Sequence, residues 1–140
     1  MTLVYLDTSV VLSLHVVDVH TAEVTNFMQK SRHKFAVSPW LRAEAASALG
    51  IMVRRKDLSA TLANQAFKDI QTFCDSTQTL PITAAAYDLA TRWMLDFDLG
   101  LRAGDALHLA IAKLGKAQLL TCDKLLGKAG NKLGVKVLTV

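Results

Sequence analysis

The chain has 140 residues, 51% of them hydrophobic and 20% charged, which is typical of one globular domain, predicted over residues 1–140, and excludes a disordered protein. No apolar run reaches the ~18 residues of a membrane span, no basic leader precedes the apolar start, and Cys74 and Cys122 lack metal-ligand spacing, so we expect a cytoplasmic protein with reduced thiols and no membrane association. The net charge is +4, and residues 101–140 carry seven Lys or Arg against two acids; this favours a polyanionic partner such as nucleic acid, with a solubilising face as the alternative.

The first predicted element is a strand in the apolar run that begins at Leu3 and ends at Asp7, Thr8 and Ser9. In open α/β sheets, ligands bind beyond the carboxyl ends of the strands. We therefore expect Asp7 to point into a site and not into the core. A turn former or a helix cap is the alternative role for this aspartate.

The rest of the chain alternates between helical and strand patterns. Residues 10–17 continue apolar, with no helix predicted there, and Ser38, Ser59 and Thr83 are predicted helix caps. The later predicted elements are, in order, a helix over 21–31, a strand over 35–37, helices over 38–56 and 59–74, a strand over 79–82, a helix over 83–94, a loop over 96–101, a helix over 101–112, a strand over 118–121, a short helix over 124–127 and a strand over 136–138. This alternation predicts an α/β fold with a mostly parallel five-stranded sheet between two helical layers.

Four acids stand out by their predicted positions: Asp7 and Asp123 follow strands, Asp105 begins a helix, and Glu44 lies within an apolar helix stripe. The fold can bring them together only if their strands are neighbours. Packed carboxylates would repel one another and take up protons. A hard divalent cation with oxygen ligands, Mg²⁺ or Mn²⁺, resolves that repulsion and can activate water for displacement at phosphorus.

Glu44 is the acid that a capping role cannot explain, because it lies in the middle of a helix. A buried glutamate without a partner is costly, so it needs a metal, a cation or a cleft. An ion pair with Arg42 or Arg102 is the structural alternative. For Asp105 and Asp123 the corresponding alternatives are a favourable first-turn acid and a helix cap.

Other polar residues near these acids receive more modest predictions. Thr8, Ser9 and Thr121 are hydroxyls at strand ends that could orient the carboxylates. His108 follows Asp105 by one helical turn and is predicted to be a hydrogen-bonded core residue and not a base. Both tryptophans are predicted to lie in the core or an interface.

Together these segments resemble a PIN domain, and in particular the VapC toxins of bacterial and archaeal toxin–antitoxin pairs. The segments that carry the resemblance are Tyr5–Ser9, Glu44–Leu49, Arg102–Ala110 and Leu120–Asp123. The resemblance implies a Mg²⁺- or Mn²⁺-dependent endoribonuclease that uses metal-activated water. It also implies a homodimer, and inhibition by a VapB-type antitoxin.

By matching motif positions, the resemblance places the catalytic and metal-binding acids of the family at Asp7, Glu44, Asp105 and Asp123, with hydroxyl support from Ser9 and Thr121. The basic C-terminal third is predicted to hold the RNA backbone. Its candidate RNA-binding residues are Arg102, Lys124, Lys128 and Lys132. Two alternatives are a catalytically silent PIN-like module that binds RNA or a partner, and a haloacid-dehalogenase-like phosphatase, in which Asp7 would follow the first strand but Ser9 stands where a second acid belongs.

Overall fold

A computed structural model describes residues 2–140, and its secondary structure alternates along the chain as predicted. The strands are β1 (Leu3–Leu6), β2 (Lys34–Val37), β3 (Gln78–Thr79), β4 (Gln118–Thr121) and β5 (Val137–Thr139). The helices are α1 (Thr8–His15), α2 (Thr21–Lys30), α3 (Pro39–Arg54), α4 (Ala60–Asp75), α5 (Ala84–Met94), α6 (Ala103–Leu114) and α7 (Lys124–Lys132), with a 3₁₀ turn over Phe97–Leu99.

The five strands form one sheet in the order β3-β2-β1-β4-β5, and every neighbouring pair is parallel. Strand β1 is therefore central, with Tyr5 opposite Ala36 on one side and opposite Leu119 on the other. The predicted neighbourhood of the first strand and of strand 118–121 is confirmed. Because the strands are parallel, the residues that follow β1 and β4 meet at one edge of the sheet.

Successive side chains of β1 face opposite sides of the sheet and enter two separate cores. Tyr5 packs with α5 and α6 on one side, where Leu109 is fully buried and both tryptophans pack against the core. Val4 and Leu6 pack with α1 to α4 on the other side, around Ile70. The result is the predicted three-layer α/β/α arrangement. Over residues 2–140, no helix has both the length and the apolar character needed to cross a membrane.

Helix α1 was not predicted, because its valine-rich sequence resembles a buried strand as much as a buried helix. The Asp7 carboxylate accepts a hydrogen bond from the amide of Val10, which begins the helix immediately after β1. Val10 and Val11 are fully buried. The apolar run is therefore divided between a strand and a helix at this aspartate.

The predicted strand 79–82 and the predicted helix 124–127 have the wrong lengths. Strand β3 ends at Thr79, since Pro81 has no amide to donate to a sheet. Helix α7 continues through Gly127 and Gly130, which a sequence pattern treats as helix ends. A Cβ at Gly130 would lie 2.5 Å from a methyl of Val137, so this glycine allows α7 to pack closely on β5.

The predicted caps at Ser59 and Thr83 are confirmed, since each hydroxyl accepts from an amide of the first helical turn. Ser38 occupies the cap position of α3, but its hydroxyl makes no capping bond. It is hydrogen-bonded instead to the hydroxyl of Tyr5, at 2.8 Å. The prediction for Ser38 was therefore right in place and wrong in role.

Candidate active site at the carboxyl edge of the sheet

Asp7 lies at the end of the central strand and is only 4% exposed. Its Oδ1 accepts hydrogen bonds from the hydroxyl of Ser9, at 2.6 Å, and from the amide of Val10, and its Oδ2 accepts from the hydroxyl of Thr121. Burial raises the pKa of Asp7, against the lowering effect of the His108 charge and of these hydrogen bonds. Asp7 is thus a helix cap and a buried site residue at once.

Thr121 and Ser9 connect the two central strands through their hydroxyl groups. The Thr121 hydroxyl that donates to Asp7 accepts in turn from the amide of Asp123, at 3.0 Å. The Ser9 hydroxyl accepts from the amide of Cys122, at 3.2 Å. These bonds support the predicted role of both hydroxyls in orienting the carboxylates.

Glu44 lies on the apolar face of α3, and its partner is a histidine, not an arginine. Its Oε1 accepts from the hydroxyl of Thr8, at 2.6 Å, and is in close contact with Nε2 of His108. Burial alone would raise the pKa of Glu44, but the hydrogen bond and the charge of a protonated His108, together with the Thr8 bond, lower it. The proposed arginine partners were wrong, because Arg42 pairs with Asp75 and Arg102 lies 3.7 Å from a different acid, Asp105.

His108 is 2% exposed and belongs to a buried polar network. Its Nδ1 lies 2.6 Å from the hydroxyl of Tyr5, which also contacts Ser38, and its Nε2 lies 3.2 Å from the hydroxyl of Thr8. Burial raises the pKa of Tyr5, so its hydroxyl stays protonated in this network. The prediction of a hydrogen-bonded, buried histidine is confirmed.

Asp105 and Asp123 lie nearer the surface than Asp7. Burial raises the pKa of Asp105; Arg102 lowers it, and the negative charge of Asp123 raises it further. Asp123 caps α7, because its Oδ1 accepts from the amides of Leu125 and Leu126, at 2.9 and 3.2 Å. The capping alternative for Asp123 is therefore real, but both capping bonds use one oxygen.

Two clefts meet at Asp105. The first, of about 340 Å³, includes Asp105 and Asp123 together with three basic residues, Arg102, Lys128 and Lys132. The second, of about 510 Å³, lies between α3 and the start of α6. Its polar and aromatic lining is Trp40, Glu44, Ser47, Arg102 and Asp105.

The basic candidates for RNA binding are not all equivalent. Arg102, Lys128 and Lys132 line the first cleft beside the two aspartates, whereas Lys124 is exposed outside that lining. Cations within a cleft act on a polyanion at shorter range than cations elsewhere on the surface. The structure therefore distinguishes three of the four predicted residues by position.

The oxygen-only donor set of these acids suits a hard divalent cation such as Mg²⁺ or Mn²⁺, which prefers carboxylate ligands. The charges of Asp123 and Glu44 both act on Asp105, which links three of the four acids electrostatically. Within residues 2–140, however, no three His, Cys, Asp or Glu side chains are close enough to form a metal cluster. The donor chemistry fits the ion, and the ligand roles of the four acids stay a prediction.

Gly104 is a site residue that the sequence reasoning missed. A Cβ at this position would lie 2.7 Å from Oε2 of Glu44 and 3.6 Å from the ring nitrogen of Trp40. The sequence signal was a helix-disfavoured glycine next to Asp105, in the first turn of α6. The absence of a side chain at Gly104 leaves room for the Glu44 carboxylate.

Comparison with known proteins followed from this geometry. Residues 4–132 match the family profile described as PIN domain. No curated protein matches the chain. The family match sets aside the haloacid-dehalogenase alternative.

Several solved structures share the fold at low sequence identity. The sarcin-ricin-loop-cleaving toxin VapC20 of Mycobacterium tuberculosis superposes with a TM-score of 0.73 at 17% identity, over 91% of this chain and 95% of its own. VapBC2 of Rickettsia felis, bound to a fragment of its promoter DNA, gives 0.69 at 12% identity over 99% of both chains. A toxin–antitoxin complex from Klebsiella pneumoniae gives 0.66 at 17% identity, over 97% of this chain and 96% of that one.

Proposed function

The chain belongs to the PIN domain family, and from that membership we propose that it is a divalent-metal-dependent endoribonuclease, the toxin of a VapBC-type toxin–antitoxin pair. The observation that carries this proposal is the first cleft. Two aspartates at the carboxyl edge of the sheet share it with three basic side chains, so acids and cations alternate within one groove. That combination suits a phosphodiester held by its backbone beside a site for a divalent cation.

We assign the metal to Asp105, Asp123, Glu44 and Asp7, the four acids of this edge. When bound, Mg²⁺ or Mn²⁺ would neutralise charge on the phosphodiester during its hydrolysis. The protein's own contribution is orientation. Ser9 and Thr121 fix both oxygens of Asp7, and the amides of α7 fix one oxygen of Asp123.

The basic residues of the first cleft hold the substrate in this proposal. Lys128 and Lys132 lie one helical turn apart on α7 and follow Asp123 along the cleft. Arg102 lies 3.7 Å from Asp105 and is largely exposed, so it can contact both the acid and an incoming phosphate. Contacts of this kind recognise the RNA backbone and not its sequence.

The proposal includes partners that follow from the same family. VapBC structures and a toxin–antitoxin complex share this fold, which supports a VapB-type antitoxin as the inhibitor of this chain. We also propose a homodimer and a cytoplasmic location, where Cys74 and Cys122 would remain the free thiols seen in the structure.

The decisive experiment is cleavage of end-labelled total RNA by purified protein, with Mg²⁺, with Mn²⁺ and with chelator. We expect cuts at discrete sites that require the metal. Asp7→Asn keeps the size of the buried side chain but removes its charge, and it should lower cleavage by about 100-fold or more. Asp88→Asn, on an exposed position of α5, is the matched control and should cleave like the wild type.

Three results would contradict the proposal in different ways. Equal cutting by the wild type and Asp7→Asn would identify a contaminating nuclease. Cutting that persists in chelator would remove the metal from the proposal. No cutting by antitoxin-free protein, over a range of natural RNAs, would favour the silent binding module.

A further inference from the structure

The two oxygens of the Glu44 carboxylate have different surroundings. Oε1 is hydrogen-bonded by the Thr8 hydroxyl and by His108 Nε2. Oε2 has no hydrogen-bond partner among residues 2–140 and lies against Gly104 at the start of α6. One oxygen is thus held by the protein, and the other is left for a ligand.

The donor at Oε1 is itself held in place by a chain of buried side chains. An ionised carboxylate only accepts hydrogen bonds, so His108 Nε2 is the donor in either protonation state of the ring. At the other side of the ring, Nδ1 contacts the Tyr5 hydroxyl at 2.6 Å, and Tyr5 contacts Ser38 at 2.8 Å. His108, Tyr5 and Ser38 are each no more than 2% exposed, so the ring has little freedom to turn.

We propose that His108 is a positioning residue, held by Tyr5, that fixes Glu44 with Oε1 bound to the protein and Oε2 directed to the divalent cation. The inference rests on the proposed function and concerns a residue with no role in it so far. Its chemistry resembles that of buried partners that orient metal ligands, whose loss costs about 10- to 100-fold in metal affinity or activity. Gly104 completes the arrangement, because any side chain there would meet Oε2.

The sequence alone could not lead to this inference. His108 follows Asp105 within an apolar helix, where a satisfied core histidine is the ordinary interpretation. The contacts with Glu44 and Tyr5 join residues 64 and 103 positions apart. The same three bonds would satisfy a purely structural histidine, so the test must separate positioning from stability.

The test measures Mn²⁺ affinity by calorimetry and RNA cleavage by kcat and KM, in four single variants and one double variant. His108→Leu removes the donor to Glu44, and His108→Gln restores an N–H group near the place of Nε2. We expect His108→Leu to weaken Mn²⁺ binding and lower kcat by about 10-fold or more, with KM for RNA little changed. His108→Gln should recover most of both losses, a rescue that a purely space-filling role would not give.

Tyr5→Phe removes only the hydroxyl that holds the ring, and it carries the test if His108→Leu does not fold. We expect it to weaken Mn²⁺ binding in the same direction as His108→Leu, by a smaller factor. Glu44→Gln provides a double-mutant cycle. In that background His108→Leu should have no further effect on Mn²⁺ affinity, because the residue that it positions is already lost.

The outcomes separate this inference from the proposed function. Full Mn²⁺ affinity and kcat in His108→Leu, or additive effects of His108→Leu and Glu44→Gln, would overturn the inference alone. Mn²⁺ binding by the wild type without RNA cleavage would overturn the function and leave the cycle to test His108. A wild type that binds no Mn²⁺ would overturn both.

Discussion

The hydroxyl of Thr121 at the end of β4 donates a hydrogen bond to the buried carboxylate of Asp7 at the end of β1. The two residues are 114 positions apart in the chain and meet because their strands are parallel neighbours. A buried carboxylate depends on its donors, since water cannot replace them. This bond therefore contributes to both the stability of the fold and the geometry of the site.

Thr121→Val keeps the shape of the side chain and removes its donor. We expect the free energy of unfolding to fall by about 2 kcal/mol, because a hydrogen bond to a charged acceptor is lost and the acceptor stays buried. Urea denaturation followed by circular dichroism measures this change. Thr91→Val, at an exposed helical position, is the matched control and should change stability by less than about 0.5 kcal/mol. Equal losses in the two variants would contradict the prediction.

The unfolding free energies of two acid-to-amide variants should change with pH in opposite directions relative to the wild type. The folded pKa of Asp7 is raised above 3.8, so the stability it contributes is present below that value and lost as pH rises through its folded pKa. The folded pKa of Glu44 is lowered below 4.5, so its contribution is present above that value and lost as pH falls through its folded pKa.

Asp7→Asn should therefore gain on the wild type as pH increases above 3.8. Glu44→Gln should gain on the wild type as pH decreases below 4.5. Urea denaturation of the three proteins between about pH 3 and pH 7 measures both differences. Two differences that change in the same direction would show that one of the two environments is misjudged.

Gly104→Ala tests the space kept for the Glu44 carboxylate. A Cβ 2.7 Å from Oε2 forces the carboxylate to move, and a displacement of about 1 Å at a reacting group can cost ~100-fold in rate. We expect a loss of RNA cleavage of at least about 10-fold, while alanine in a helix leaves stability equal or higher by up to ~1 kcal/mol.

Gly50→Ala is the matched control for this change. Gly50 also lies in a helix, and its Cβ would meet only the flexible end of Arg54, at 3.2 Å. RNA cleavage by Gly50→Ala should equal that of the wild type. Full cleavage by Gly104→Ala would show that Glu44 tolerates the displacement.

Lys128→Ala and Lys132→Ala test the basic lining of the first cleft. Each lysine that contacts a phosphate should reduce the slope of log affinity against log salt by about one. Binding of an uncleaved RNA to the Asp7→Asn protein, measured at several salt concentrations, gives this slope. Lys68→Ala, on an exposed position of α4, should leave the slope unchanged, and the same result for Lys128 and Lys132 would remove them from the RNA path.

The fold was largely accessible from the sequence because its strands are short apolar runs that alternate with capped helices. Glu44 was identifiable as unusual because one acid interrupts an apolar stripe. Its partner was not, since His108 is 64 residues away and becomes a neighbour only when α3 and α6 pack at the same edge of the sheet. Pairing between distant residues leaves no local pattern.

Helix α1 and Ser38 show a second limit, in which local and long-range interactions compete for the same group. Val10 and Val11 favour a strand by propensity, and the cap at Asp7 together with burial selects a helix. Ser38 favours a cap by propensity, and the buried hydroxyl of Tyr5 takes its side chain instead. In both cases the tertiary contact decides.

The pairing of β1 with β4 also determines when the acid site can exist during synthesis. A nascent chain emerges from its N-terminus, so Asp7 leaves the ribosome long before Thr121, Asp105 or Asp123. Until β4 is available, one edge of β1 has no partner and Asp7 lacks its donor from Thr121. A ribosome that translates an RNA-cleaving toxin is thereby close to completing the chain before the site that could act on RNA is assembled.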